Sequence, residues 1–319
     1  MPLLGRTGVE VSPLCFGTMS FGGDADEAMS ERLYRRCRDA GVNFFDCANV
    51  YAGGASETIL GKLMSGERDE LVITSKVGFG AGGFRTANLS RRNIVAACEA
   101  SLRRLKTDRL DVYFLHTHDL NTPMEQSLRA LDDLVKAGKI LYPGVSNWAA
   151  WEVALSMGRC EIERLAPFEA MQPMYNLVKR QAEVELLPLA QHAGLAVTPY
   201  SPLGGGLLTG KYAGDLESNG RIKTNKMYAS RYRSEESHAV AARFAAHAKE
   251  NGQHPATLAV AWVASHPAVT APIIGARNVE QLEPSLAAAD LTLTKEEREA
   301  ITKLSPSPGV ATDRTESDD

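Results

Sequence analysis

Eight short apolar runs punctuate the chain, and a stretch with helical spacing follows each of them. The runs are "LCFGT" at 14–18, "NFFDCA" at 43–48, "LVITSKV" at 71–77, "DVYFLH" at 111–116, "ILYPGVSN" at 140–147, "FEAMQP" at 168–173, "LAVTPYSP" at 195–202 and "TAPIIGA" at 270–276. Their length and their β-branched and aromatic content predict strands. The intervening segments read as helices. "SRRNIVAACEASLRRLK" opens on Ser90, whose side-chain oxygen suits an N-cap, and "TPMEQSLRALDDLVKAGK" has Pro123 near its start and Gly138 at its end. Strands alternating with helices give a parallel sheet, and eight such units close into an α/β barrel of the (β/α)8, or TIM, type. A doubly wound open sheet is the competing architecture, and it requires some of the eight runs not to be strands.

Three segments stand outside the alternation. "LLGRTGVEVS" reads as a short N-terminal hairpin around a glycine-containing turn. Residues 203–234 are too long and polar for an ordinary loop after a seventh strand, and loops of that kind are usually functional or disordered. "SPSPGVATDRTESDD" turns proline-rich and then acidic. Residues 1–304 are therefore expected to form one barrel domain and 305–319 a disordered tail. The chain has 319 residues, 44% of them apolar and 23% charged, enough for a large core. Its formal charge of −4 gives no reason to expect a nucleic-acid or membrane partner. Five cysteines without a CxxC pair point to reduced, buried thiols, and the N-terminus lacks the apolar run of a signal peptide. The expected compartment is the cytoplasm.

In a barrel of this type the active site forms at the C-terminal ends of the strands, so polar residues just after the apolar runs are the candidates. They are Asp46, Lys76, His116, Ser146 with Asn147, Gln172, Tyr200 with Ser201, and Arg277 after Gly275, with Tyr51 a short loop beyond Asp46. Each alone has an ordinary explanation: a capping aspartate, a solvated lysine, a packing tyrosine, a hydrogen-bonded structural histidine. Gathered at one mouth they suit a specific chemistry. A phenol, with a pKa near 10, is a poor proton donor to a carbonyl at neutral pH, and an adjacent ammonium stabilises the phenolate and brings the pKa down. Lys76 would supply that charge, Asp46 would hold the lysine, and His116 would polarise the substrate oxygen. The four suit addition of a hydride to a carbonyl, with Tyr51 giving the proton.

The stretches "GRTGVEVSPLCFGTMSFG", "GVNFFDCANVYAGGASETILGKLM", "ITSKVG", "DVYFLHTHD", "GKILYPGVSNW", "MQPMYN", "VTPYSPLGGGLLTGKY" and "PIIGARNVEQLEPSLAA" follow the order found in the aldo-keto reductases, and the chain resembles that family up to about Ala289. The resemblance places the family's catalytic tetrad on Asp46, Tyr51, Lys76 and His116. It implies a TIM barrel that binds extended NADPH or NADP+ without a Rossmann domain and passes a hydride between it and an aldehyde or ketone. It implies that Ser146, Asn147 and Gln172 hold the nicotinamide carboxamide and that Tyr200 stacks on the ring. Ser201, Pro202, Leu203 and Gly204 would follow the pyrophosphate, and Lys211, Arg221, Arg277 and Gln281 would surround the 2′-phosphate. Gly17, Thr18, Met19, Asp46 and Gly275 complete the implied cofactor-binding set. Pro284 and Ser285 depart from the family's usual acidic residue and asparagine at the adenine, "LYP" replaces a common basic residue before "GVSN", and His118 stands where many members have proline.

Other readings compete. "GFGAGG" fits GxGxxG at Gly78, Gly80 and Gly83, but "FRTANL" intervenes before any helix. Gly205 to Lys211 fits GxxxxGK, but Tyr212 follows where a magnesium-binding hydroxyl belongs. His116 and His118, with Asp46 and Asp119, leave a metal-dependent hydrolase open as an enzyme alternative, although Lys76 and Tyr51 are poor substitutes for further ligands. The expectation is that no metal is used. A barrel that binds cofactor as a regulatory subunit, turning over slowly, is the non-enzyme alternative. The physiological carbonyl and the oligomeric state are not legible.

Overall fold

The computed structural model describes residues 1–79, 87–211, 222 and 225–312. Eight strands fall on the eight predicted runs: β1 (Cys15–Gly17), β2 (Phe44–Asp46), β3 (Val72–Val77), β4 (Leu110–Leu115), β5 (Ile140–Ser146), β6 (Ala170–Gln172), β7 (Ala196–Val197) and β8 (Ile273–Ile274). All are parallel and pair in the order β7-β6-β5-β4-β3-β2-β1-β8. The two ends of that order meet. Val197 O accepts from Thr270 N at 2.8 Å, and Pro199 O accepts from Ile273 N at 2.9 Å, which joins β7 to β8 and closes the ring. The last two strands are short where the sequence predicts long runs. Pro199 and Pro272 have no N–H to donate, so the ladder is interrupted there.

The helices are α1 (Glu27–Asp39), α2 (Ala55–Leu63), α3 (Arg91–Leu105), α4 (Met124–Lys136), α5 (Ala150–Glu163), α6 (Leu186–Ala193), α7 (Lys226–Arg231), α8 (Glu235–Glu250), α9 (Pro255–Ala264), α10 (Val279–Leu286) and α11 (Lys295–Thr302). Ser90 caps α3 by accepting from Asn93 N, and Pro123 is the residue before α4. The long segment after β7 contains a 3-10 turn, Gly204–Thr209, and α7. No helix among the described residues is long and apolar enough to cross a membrane.

Side chains alternate along each strand, and this alternation sets the two layers of core. Cys15, Phe44, Val72, Val112, Phe114, Ala170 and Ala196 face the barrel interior and form one cluster with Leu4 and Val11. Those two residues come from the N-terminal hairpin, which is antiparallel at Leu3 and Glu10, and they plug the end where the strands begin. Phe45, Ile73, Tyr113, Leu115, Val145 and Met171 face outward into the larger barrel–helix layer. Full burial of each such side chain stabilises by about 1.5–3 kcal/mol. By the same parity Asp46, Thr74 and Lys76 fall on the interior face, near the strands' C-terminal ends. Past α11, Arg180 Nη1 donates to the carbonyls of Ser305 and Pro306 at 3.1 and 3.3 Å. Positions 313–319 of the expected tail lie outside the described residues. All five cysteines are buried free thiols.

Candidate active site

β2 and β3 pair with Asp46 opposite Thr74, and this register brings Asp46 and Lys76 together. Lys76 is fully buried and makes three bonds from its ammonium: to Asp46 Oδ2, to Cys47 O at 2.7 Å and to the Tyr51 hydroxyl at 3.1 Å. Three donors thus meet three acceptors, which is what a buried ammonium requires. Asp46 Oδ1 accepts from Thr74 Oγ1 at 2.7 Å and from Gln172 Nε2 at 2.9 Å. The His116 ring lies 6.2 Å from the Tyr51 ring and nearly perpendicular to it, and Phe79 packs edge-on against His116 at 4.3 Å.

From Gln172 the hydrogen bonds continue around the rim. Ser146 Oγ donates to Gln172 O at 2.8 Å, Asn147 Nδ2 donates to Ser146 Oγ at 3.0 Å, and Tyr200 OH donates to Asn147 Oδ1 at 2.7 Å. Asn147 also reaches His116 O at 2.9 Å. One connected network therefore holds Lys76, Asp46, Gln172, Ser146, Asn147 and Tyr200, drawn from β2, β3, β5, β6 and the segment after β7. The Arg231 guanidinium lies 5.7 Å from the Tyr200 ring and 5.3 Å from the Tyr228 ring. A cavity of about 230 Å³ adjoins this rim, with Asn147, Gln172 and Tyr200 on one side and Trp148, Val153, Met171, Met174 and Leu186 among its other walls.

Burial governs the proton affinities. It pushes the Tyr51 phenol up to about 12, against the pull of Lys76 in the opposite direction. The sequence expectation that Lys76 brings the phenol toward neutrality holds for the sign of the lysine's effect, but desolvation outweighs it. Lys76 is itself opposed by burial, but Asp46 and Tyr51 reverse this and raise it above the ordinary lysine value. His116 is driven well below the ordinary histidine range, by burial first and by the Lys76 charge second. At neutral pH the site thus holds a protonated phenol, an ammonium and a neutral imidazole.

The remaining cofactor candidates lie along two edges. Thr18 Oγ1 donates to Asp46 O at 3.1 Å at the end of β1, where Gly17 pairs with Asp46, and Met19 is partly exposed beside it. Ser201, Gly204, Gly205 and Gly206 all have positive φ, and Asn176 Nδ2 holds Ser201 O at 2.8 Å. Pro202 and Leu203 lie within this stretch, and Lys211 is exposed at its far end. Beyond β8 and Gly275, Arg277 N donates to Gln281 Oε1 at 3.3 Å, and Arg277 Nε pairs with Asp24 at 3.0 Å. Arg221 lies outside the described residues, as do Gly80 and Gly83 of the GxGxxG match and Tyr212.

His118 does not join His116. Its Nδ1 lies 2.7 Å from Glu152 Oε1 of α5, and its ring packs edge-on against Trp148. Asp119 accepts from Leu89 N, Asn121 N and Thr122 Oγ1 and so organises the loop after β4. Among the described residues no three His, Cys, Asp or Glu side chains converge as a metal site. Sequence reading missed Thr74, Phe79, Asp24 and Arg231. Thr74 was within reach, because it shares its strand parity with Lys76. It also missed Glu57, a fully buried carboxylate on α2 that accepts from Ser75 Oγ at 2.5 Å and Arg104 Nε at 2.6 Å. On an amphipathic helix, a glutamate reads as a solvent-facing residue.

Against known proteins, the family model described as "Aldo/keto reductase family" matches residues 13–306. The uncharacterized oxidoreductase YrpG of Bacillus subtilis (strain 168) is 38% identical over 324 residues, covering 97% of each chain. Two relatives named probable voltage-gated potassium channel subunit beta, from Arabidopsis thaliana and Oryza sativa subsp. japonica, are 36% and 37% identical, each with 90% of both chains covered.

Proposed function

Because this chain belongs to the aldo/keto reductase family, and so to a family of oxidoreductases, we propose that it reduces the carbonyl of an aldehyde or ketone with NADPH, Tyr51 giving the proton. The observation that carries this reading is the buried Asp46–Lys76–Tyr51 line, closed at the mouth by His116. The side chains fit such a cofactor at both ends: the amides of Asn147 and Gln172 match a carboxamide, and Arg277 matches a phosphate. Between them, the positive-φ residues Ser201, Gly204, Gly205 and Gly206 let backbone approach a pyrophosphate closely.

When bound, the cofactor supplies a hydride to the carbonyl carbon. The protein's part is to accept the carbonyl oxygen and protonate it. Lys76 donates to the Tyr51 oxygen, so the phenol's own hydrogen is directed elsewhere, available to a substrate oxygen. As that proton leaves, the ammonium faces the developing phenolate, and Asp46 keeps the ammonium in register. Neutral His116 offers an N–H for the same oxygen without the cost of burying a second cation beside Lys76. Phe79, packed on His116, gives the mouth an apolar neighbour, and Arg277, released from Asp24, would bind the 2′-phosphate.

The relatives named channel subunits support a second reading, a barrel that binds cofactor and regulates a partner while turning over slowly. A panel of aldehydes, ketones and quinones, assayed with NADPH and with NADH, separates the two. Turnover of several carbonyls with NADPH supports the reductase. Tight NADPH binding with turnover of none of them supports the regulatory barrel.

A further inference from the structure

We infer that Glu57 is a positioning residue that holds the Tyr51 phenol against Lys76 from behind the barrel wall; this rests on the reading of Tyr51 as proton donor. Ser75 and Lys76 are neighbours on β3 and point to opposite faces. Lys76 faces inward and bonds Tyr51, whereas Ser75 faces outward and donates to Glu57 Oε1 at 2.5 Å. Glu57 lies in the first turn of α2, and Tyr51 begins the 3-10 turn that runs directly into that helix. A single strand therefore grips the Tyr51 segment at two points, through its front face and through its back.

The segment needs such a grip. Ala52, Gly53 and Gly54 have φ of 48°, 65° and 96°, three successive left-handed residues between the phenol and the helix. Glycine restricts the chain little at two of these positions, and alanine carries a steric penalty at the third. Arg104 of α3 closes the arrangement. Its Nε donates to Glu57 Oε2 at 2.6 Å, and its side chain covers Gly54 so closely that an added Cβ would lie 3.0 Å from Arg104 Cδ. Ser56 ties the same helical turn toward β1 by donating to Thr18 O at 2.7 Å, so Glu57 supplies the independent constraint toward β3 and α3. The carboxylate is wholly excluded from water, an expensive placement unless both oxygens are bonded, and both are.

The test compares Glu57→Ala, Glu57→Gln, Tyr51→Phe and the Tyr51→Phe/Glu57→Ala double variant. The readouts are kcat per cofactor-binding site, KM, and the NADPH dissociation constant from quenching of tryptophan fluorescence. Counting only cofactor-competent sites removes any loss of folded protein from the comparison. Glu57→Ala is expected to lower kcat per site by roughly 10–100-fold, the scale of a small misplacement of a reacting group, with NADPH affinity within about two-fold of wild type. Glu57→Gln is expected to stay within about three-fold, since its amide can accept from Arg104 and donate to Ser75. In the Tyr51→Phe background, Glu57→Ala should cost nothing further, because a residue that acts through the phenol has nothing left to position. Unchanged kcat per site in Glu57→Ala, or an equal loss with and without the phenol, overturns the inference. Wild-type turnover in Tyr51→Phe overturns the proton-donor reading itself, whatever Glu57 does. If Glu57→Ala yields no folded protein, Ser75→Ala cuts the same tie from the strand side and carries the same expectations.

Discussion

The Lys76 ammonium donates to the Tyr51 phenol oxygen at 3.1 Å, and each group shifts the proton affinity of the other. The lysine is buried without any exposure and keeps its charge because Asp46 and the phenol surround it. Desolvation holds the phenol protonated, and the lysine is the neighbour that most lowers its proton affinity.

Replacing the lysine should expose this dependence. Lys76→Met leaves the Asp46 carboxylate, 2% exposed, with only the neutral donors Thr74 and Gln172. Removing one partner of a buried ion pair typically costs about 3–5 kcal/mol, so chemical denaturation should show a loss of that order. Lys76→Met/Asp46→Asn should recover much of the stability but not the activity.

The adenosine end gives a prediction of selectivity. Arg277 pairs with Asp24 at 3.0 Å, both groups being partly exposed, so the bridge itself is weak and a phosphate can displace it. Charge-assisted hydrogen bonds to a phosphate contribute about 1.5–3 kcal/mol each. Wild type should therefore bind NADPH more tightly than NADH, and Arg277→Ala should lose roughly ten-fold or more in NADPH affinity with little change for NADH. Asp24→Asn should tighten NADPH. Dissociation constants from tryptophan quenching check all three, and equal affinities for the two cofactors in wild type would refute the assignment.

Acid should unfold the protein partly through His266. Burial first, and the Arg298 charge second, lower this histidine to about 4. The folded state thus holds it neutral where the unfolded chain, with an ordinary value near 6.5, takes up a proton. Its contribution is complete above about pH 6.5 and is lost as the pH falls toward 4. In His266→Gln, which cannot be protonated, stability measured by denaturation should fall less steeply across that interval. An unchanged slope would contradict the assignment.

Activity should also be insensitive to chelators. His118 lies against Glu152, and Asp119 is engaged by two backbone N–H groups and Thr122, so neither is arranged with His116 around a common point. Dialysis against a strong chelator should leave turnover intact, and elemental analysis should find no stoichiometric zinc or iron. Loss of activity restored by one metal would bring back the histidine-pair reading.

The fold was legible because each of the eight strands carries its own apolar run, and the strand ends exposed Asp46, Lys76 and His116 by position alone. Strand length at β7 and β8 was misjudged, since Pro199 and Pro272 read as parts of apolar runs but cannot complete a ladder. What the sequence hid were contacts between distant elements. Glu57 is 18 residues from Ser75 and 47 from Arg104, and nothing in its helix marks it as buried. Asp24 and Arg277 are separated by nearly the whole chain and meet because β1 and β8 are neighbours. The net proton affinity of Tyr51 was equally hidden, because the extent of burial is a property of the assembled mouth.

The most direct measurement is consumption of NADPH absorbance with a simple aromatic aldehyde by wild type and by Tyr51→Phe, each normalised to cofactor-binding sites. The phenol is the one group here that both carries a transferable proton and faces the ammonium able to stabilise its loss. Wild type should turn over, and Tyr51→Phe should lose at least about 10²-fold in kcat, the usual share of general acid catalysis, while binding NADPH within a few-fold of wild type. Turnover by Tyr51→Phe at the wild-type rate would contradict the account.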